Sequence, residues 1–453
     1  MTLTRRHLVS TLGASAALGI IVRPAFAAPL TSTLGRDAAQ YGVRANAPDD
    51  QTSALQRAIN EAAKAQMPLA LAPGNYRTGP LDLPAGAQIV GVRGASKLVF
   101  TGGPSMFTAT GADHLGLTNL TLDGGNLSLP DRRGLVHCLS GRDVRVTDCE
   151  IINSGGNGIW LENVAGEIRG NTIRKIATTA IVSFDALGLL VAQNTIQDTS
   201  DNGIEILRTV TGDDGSMVID NRIEDIKAGA GGSGQHGNAI NAFRANNVIV
   251  RGNRIRDCDY SGVRGNSASN IQIIGNSITN VREVALYSEF SFEGAIIANN
   301  TVDVCATGVS VCNFNEGARI AIVQGNILRN ILPKRPIGTA PDDDGGVGIY
   351  IEADSAVTGN LIENAPSCGI VAGWGEYLRD ITINANVIRN SFVGIGVSVV
   401  PGTGKTLVNG NMISNAPRGA IVGYDHAKPV TGDLMVTGAS AFPRIVLSGN
   451  AAQ

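Results

Sequence analysis

Residues 248–255 read Val-Ile-Val-Arg-Gly-Asn253-Arg-Ile, residues 271–278 read Ile-Gln-Ile-Ile-Gly-Asn276-Ser-Ile, and residues 295–302 read Ala-Ile-Ile-Ala-Asn-Asn300-Thr-Val. The three segments are one pattern: a short aliphatic stretch, an asparagine often preceded by glycine, and a second aliphatic stretch. Earlier copies centre on Asn171, Asn194 and Asn221, with Asp148 in the same place one copy before. Later copies centre on Asn326, Asn360, Asn386, Asn411 and Asn450. The steps from Asp148 onward are 23, 23, 27, 32, 23, 24, 26, 34, 26, 25 and 39 residues. A base period of 23–26 broken by insertions is the signature of stacked repeats.

A second fixed piece follows the asparagine by 8–10 residues in most copies, a small residue and then an aliphatic one. Examples are Gly203-Ile204, Gly262-Val263, Ala285-Leu286, Gly308-Val309, Gly369-Ile370 and Gly394-Ile395. Apolar residues alternate with period 2 in all these pieces, so they are strands. Three short strands per coil without helices exclude leucine-rich and ankyrin repeats and fit a parallel β-helix. The expectation is an all-β solenoid of about 12 coils, three short strands per coil. Asparagine suits the corner because it tolerates a left-handed backbone. Stacked on successive coils, its amide can also hydrogen-bond along a ladder. These asparagines are therefore expected to be architecture, not chemistry.

The composition agrees. Of 453 residues 57 are Gly, 4% are aromatic and 17% are charged, while 43% are hydrophobic. This excludes disorder, collagen and a coiled coil. Length alone would suggest about three domains; the repeat makes one elongated domain instead. The opening Thr4-Arg5-Arg6-His7-Leu8-Val9, the apolar run to Val22 and Ala25-Phe26-Ala27 read as a twin-arginine signal peptide over residues 1–27. The run is too short for a stable membrane anchor, so no transmembrane anchor is expected after cleavage. The remaining 33 basic and 39 acidic side chains, with no polybasic stretch, argue against nucleic acid as a partner. The expected location is periplasmic or secreted, with the twin-arginine translocase as a partner during export. The remaining segments divide into a cap and first coils at 28–114, repeats at 115–426 and closing strands at 427–453.

These repeats resemble right-handed parallel β-helices of the pectate-lyase type. Gln40-Tyr41-Gly42-Val43-Arg44-Ala45-Asn46-Ala47-Pro48-Asp49-Asp50-Gln51-Thr52 is similar to the opening motif of secreted β-helices that act on polysaccharides, except that Gln40 stands where an acid is usual. Leu71-Ala72-Pro73-Gly74-Asn75-Tyr76 matches the strand end that follows it. With its leader, the whole chain resembles twin-arginine-exported repeat proteins, a family without an assigned activity. Residues 51–65 read as a short capping helix, with Asp50 as N-cap and Leu55, Ala58, Ile59 and Ala62 as its apolar stripe.

The two largest insertions within the regular repeats, Lys227–Gly237 and Pro333–Gly346, fall at one corner, between the asparagine and the Gly-aliphatic strand. They are four coils apart, roughly 19 Å along the axis. In pectate-lyase-like proteins loops at this corner border the strand that floors the substrate groove. The inward column of that strand is uniformly aliphatic, from Ile159 to Ile395. Its outward columns carry Glu205, Asn241, Arg264, Tyr287 and Tyr350, then Asn266 and Glu289. Glu, Arg, Asn and Tyr orient sugar hydroxyls and carboxylates. Arg264, Tyr287, His236 and Glu289 are the catalytic candidates; Glu205, Asn241, Asn266 and Tyr350 are the substrate contacts. Glu205 and Glu289 stand too far apart for a hydrolytic pair, and the polygalacturonase aspartates are not recognisable. The expected activity is therefore lyase- or epimerase-type chemistry on an anionic, uronate-containing polysaccharide. The alternative is a non-catalytic glycan-binding or structural envelope protein. No cofactor is expected. Asp342-Asp343-Asp344 is a weak calcium candidate, and His114, His137 and His426 lack zinc spacing. The six cysteines read as small core or ladder residues, because Cys258 and Cys305 stand too far apart to be bridged.

Overall fold

The computed structural model describes residues 35–336, 339 and 344–453. The leader at 1–27, Asp342 and Asp343 lie outside the described residues. One coil consists of strands Ile249–Arg251, Arg254–Cys258 and Val263–Asn266, and the next of Ile271–Ile274, Ser277–Val281 and Val284–Glu289. Each strand pairs in parallel with its equivalent one coil on, as in Val250 with Ile273, Ile255 with Ile278 and Val263 with Leu286. The result is a parallel β-solenoid of about 14 turns. The dozen expected from the asparagines falls short because the lead-in already coils. Its strands Gly74–Thr78, Ser96–Phe100 and Thr121–Asp123 stack under Glu150–Ser154 without a ladder asparagine.

The ladder is continuous from Asn171 to Asn450. Each Nδ2 donates to the next Oδ1 at 2.9–3.0 Å. Each Oδ1 also accepts the backbone N–H of the asparagine one coil earlier. The last rung towards the N-terminus is Cys149, whose N–H donates to Asn171 Oδ1 at 2.9 Å. Asp148 therefore sits one position before the ladder. That position, not the ladder asparagine, takes the left-handed backbone. It is Asp148 (φ 55), Gly170 (φ 68), Gln193 (φ 57), Gly252 (φ 69), Gly275 (φ 67) and Asn299 (φ 58) in successive examples. The frequent glycine meets the backbone demand, and the asparagine is left to make four hydrogen bonds.

The core is the inward aliphatic column of each sheet. In the floor sheet Ile159, Ile181, Ile204, Ile240, Val263, Leu286, Val309, Ile349, Ile370 and Ile395 stack in register. The helix Thr52–Lys64 covers the N-terminal end, burying Leu55, Ala58, Ile59 and Ala62. Asp50 Oδ1 accepts the Thr52 N–H at 2.9 Å. At the other end Lys428–Asp433 folds back antiparallel on Gly419–Asp425, followed by the helical turn Leu434–Thr437. All six cysteines are buried and unbridged. No described helix is long and apolar enough to cross a membrane.

Asn276→Ala removes the acceptor of both Asn253 N–H groups, at 2.9 and 3.0 Å. The orphaned, buried donors should cost about 3 kcal/mol in urea unfolding. Asn364→Gly removes an exposed amide and keeps its left-handed backbone (φ 58), so it should stay within about 0.5 kcal/mol. Equal effects would show that the buried ladder is not special.

Candidate functional site

The floor strands point alternate residues outward, and the register is continuous. Glu205, Asn241, Arg264, Tyr287, Ser310 and Tyr350 form one outward column. Within it the candidates separate into two groups.

The first group surrounds Glu205. Its carboxyl is half-buried and accepts a 3.1 Å hydrogen bond from Asn202. Burial, reinforced by the negative charge of Asp201, pushes its pKa from 4.5 up to about 7. Asp201 in turn holds His236 Nδ1 at 2.7 Å. Burial raises the Asp201 carboxyl and the histidine lowers it, with a net rise. Asn202 Nδ2 also donates to the carbonyl of Gln235 at 2.8 Å, so one side chain ties Glu205 to the loop that carries His236. Asn241 lies one strand further on, 6% exposed, and its Oδ1 has no hydrogen-bond partner among the described residues.

The second group is a closed ionic cluster. Arg264 Nε donates to Glu289 Oε1 at 2.7 Å, and its Nη1 lies 3.6 Å from Glu283 Oε2. Its guanidinium stacks over the Tyr287 ring, 4.7 Å from the centroid. Asn266 donates to the same Glu289 oxygen at 3.1 Å. Burial opposes the arginine charge, and Glu289, Tyr287 and Glu283 more than offset it, so Arg264 is a firmer cation than usual. Burial pushes the Tyr287 hydroxyl well up, beside Cys312 Sγ at 3.8 Å. It also raises Glu289, against the pull of Arg264. Arg264 is thus engaged by two carboxylates, and Tyr287 is a poor base.

Glu283, absent from the sequence-derived set, organises this cluster. Ser233 of the first loop donates to its Oε1 at 2.6 Å, and Arg335 of the second lies 3.8 Å from the same oxygen. The glutamate stands two coils from each loop. Instead of standing apart as walls, the described parts of both loops lean roughly 10 Å along the axis and meet at Glu283. Tyr350 packs with Val284, Tyr287 and Cys312, and its hydroxyl donates to Glu352 Oε1 at 2.7 Å. Asp201, Asn202 and Glu283 lie at the corner before the floor strand, outside the columns that alternation reveals. Among the described residues no His, Cys, Asp and Glu group is arranged to hold a metal. An open cleft of about 460 Å³ lies on the neighbouring sheet, lined by Glu224, Lys227, Arg256, Asp257 and Arg282 among others.

The model of the right-handed β-helix region matches residues 96–212 and 209–383. The chain belongs to the right-handed β-helix family. This β-helix is similar to the N-terminal fragment of gene product 12 of bacteriophage Phi29, at 14% identity and a TM-score of 0.53, over 93% of this chain and 71% of that one. It is also similar to PfbA, a surface adhesin of Streptococcus pneumoniae, at 15% identity and a TM-score of 0.51, over 88% and 95%. At such identities the likeness is one of fold. No curated protein matches the sequence.

In this β-helix Arg264→Ala leaves Glu289 buried without its charge partner and takes one of two cations from Glu283, which keeps Arg335. It should cost about 3–5 kcal/mol in denaturant unfolding, and adding Glu289→Gln should recover part of that. A loss under about 1 kcal/mol, as for a surface pair, would show that the cluster is not closed as described.

Proposed function

We propose that this β-helix acts on an anionic, uronate-containing polysaccharide laid along its floor sheet, by lyase- or epimerase-type chemistry. The observation that carries this is the half-buried Glu205, its carboxyl pushed up to about 7 by burial beside the Asp201–His236 pair. A carboxyl with that pKa exchanges protons readily at neutral pH. The C5 proton of a uronate is acidified by the adjacent carboxylate. Ionised Glu205 takes it, and the electron pair is left on C5. His236, held by Asp201, is the residue that then hands over a proton. Delivered to the departing O4, with the C4–O4 bond breaking, it gives an unsaturated end; delivered to the opposite face of C5, it gives the epimer. Arg264, Tyr287 and Glu289 act as positioning residues that fasten both loops to the floor. Asn241, Asn266 and Tyr350 are the sugar contacts. The twin-arginine leader supports action in the periplasm or outside the cell.

A second reading, a non-catalytic glycan-binding protein, is favoured by the full pairing of Arg264 and by the loops meeting at Glu283. One experiment separates the two. Purified protein is incubated with a panel of uronate polymers in deuterated water. Unsaturated ends are followed by absorbance and C5 deuterium by NMR. The catalytic reading expects one of these signals with at least one polymer, reduced about 100-fold or more in Glu205→Gln. Binding without either signal supports the second reading. Neither binding nor product across the panel contradicts both.

A further inference from the structure

The floor sheet changes character on the N-terminal side of Glu205. Trp160 stands two coils earlier in the same outward column, linked through Val182. Phe184 lies beside it, with ring centroids 5.3 Å apart and planes inclined by 33°. The Trp160 indole N–H donates to Glu162 Oε1 at 2.8 Å, which fixes the ring on the sheet. The two rings make an aromatic plate on the outer face of the floor.

Arg132, on the segment between strands Thr121–Asp123 and Gly134–Thr147, lies over this plate. Its guanidinium carbon lies 5.7 Å from the Trp160 centroid and 5.3 Å from that of Phe184. Arg132 is exposed and makes no ion pair among the described residues. An exposed cation–π contact contributes only about 0.5–1 kcal/mol, so the cover is easily displaced. With Arg132 in place Trp160 is only 6% exposed.

A second observation points to a ligand here. His137 pairs with Trp160 across the sheet and shares its outward column. It is 3% exposed, and its Nδ1 has no hydrogen-bond partner among the described residues. Burial, helped by the nearby Arg133 charge and opposed by Glu162, lowers its pKa to about 4, so the ring is neutral. Beside the two aromatic rings, an open ring nitrogen and a guanidinium without an ion pair among the described residues match three features of one ligand class. The apolar C–H face of a pyranose stacks on the plate, a hydroxyl meets the histidine, and a carboxylate meets the arginine in bidentate fashion.

We propose that the Trp160–Phe184 plate is a binding subsite for one acidic sugar ring, which displaces Arg132 from the plate and then pairs its carboxylate with that guanidinium. The subsite rests on the reading of the floor sheet as a polysaccharide track. It lies two strand spacings, roughly 10 Å, from Glu205, so one chain can occupy both.

The chain has 2 tryptophans, so Trp374→Phe leaves Trp160 as the only indole. Uronate oligosaccharides of increasing length and neutral glucose oligomers are titrated into that variant, with tryptophan emission and calorimetry recorded together. The expected result is an emission change that saturates with the calorimetric binding curve for the uronates. Arg132→Ala, a change at an exposed position, should weaken uronate binding about tenfold and leave any neutral binding unaltered. Calorimetric binding with flat Trp160 emission overturns the subsite and leaves the proposed function standing. An equal response to neutral oligomers, with no effect of Arg132→Ala, overturns the preference for an acidic ring. No heat with any uronate oligomer overturns both.

Discussion

The buried amide-to-amide hydrogen bond of the asparagine ladder is the constraint on which everything else rests. Each ladder asparagine donates to the next amide and to a strand carbonyl, and accepts two N–H groups from the coil before. A slip of one residue would leave these groups unpaired in the core and turn the aliphatic column outward. The ladder therefore fixes register at one corner of every coil from Asn171 onward. Its rigidity confines insertions to the other corners. That is why Lys227–Gly237 and Pro333–Gly346 can vary in length while the floor strands beneath them remain in line.

A locked register makes the outward face of the floor sheet a ruled surface, with one side chain per column every ~4.8 Å. The face varies along its length. Aromatic rings and a neutral histidine come first, then the Glu205–Asp201–His236 group, and then the Arg264–Glu289–Glu283 cluster under the loops. Such an order suits an extended polymer better than a small molecule, because no single coil contains a complete site. The cluster also shows how a buried charge network can serve geometry. Glu283 receives one contact from each loop, so loops four coils apart are fastened at their midpoint.

The floor columns were legible in the sequence because they follow from two periodicities, the 23–26-residue step and the alternation within a strand. Every pair in the columns from Glu205 to Tyr350 appears in the structure. What was not legible depends on the path of the chain between strands. Asp201 and Glu283 sit at corners, where alternation carries no information. Arg335 reaches the cluster only because its loop leans. The left-handed corner residue was misplaced by one position, since glycine and asparagine can both adopt that backbone and only the hydrogen bonds separate their roles. The early coils were undercounted because their strands, such as Gly74–Thr78, have no asparagine at the ladder position. The same alternation puts Trp160, next to inward Ile159, in the outward column, but the place of Arg132 over its ring required the third dimension.

The central claim is that partial burial by the fold holds Glu205 as a proton-exchanging carboxyl at neutral pH. Carbon-13 labelling of glutamate side chains, with Glu205→Gln to assign the resonance, allows the carboxyl to be titrated directly by NMR. The account predicts a midpoint of about 7. A midpoint at the ordinary 4.5 would contradict it.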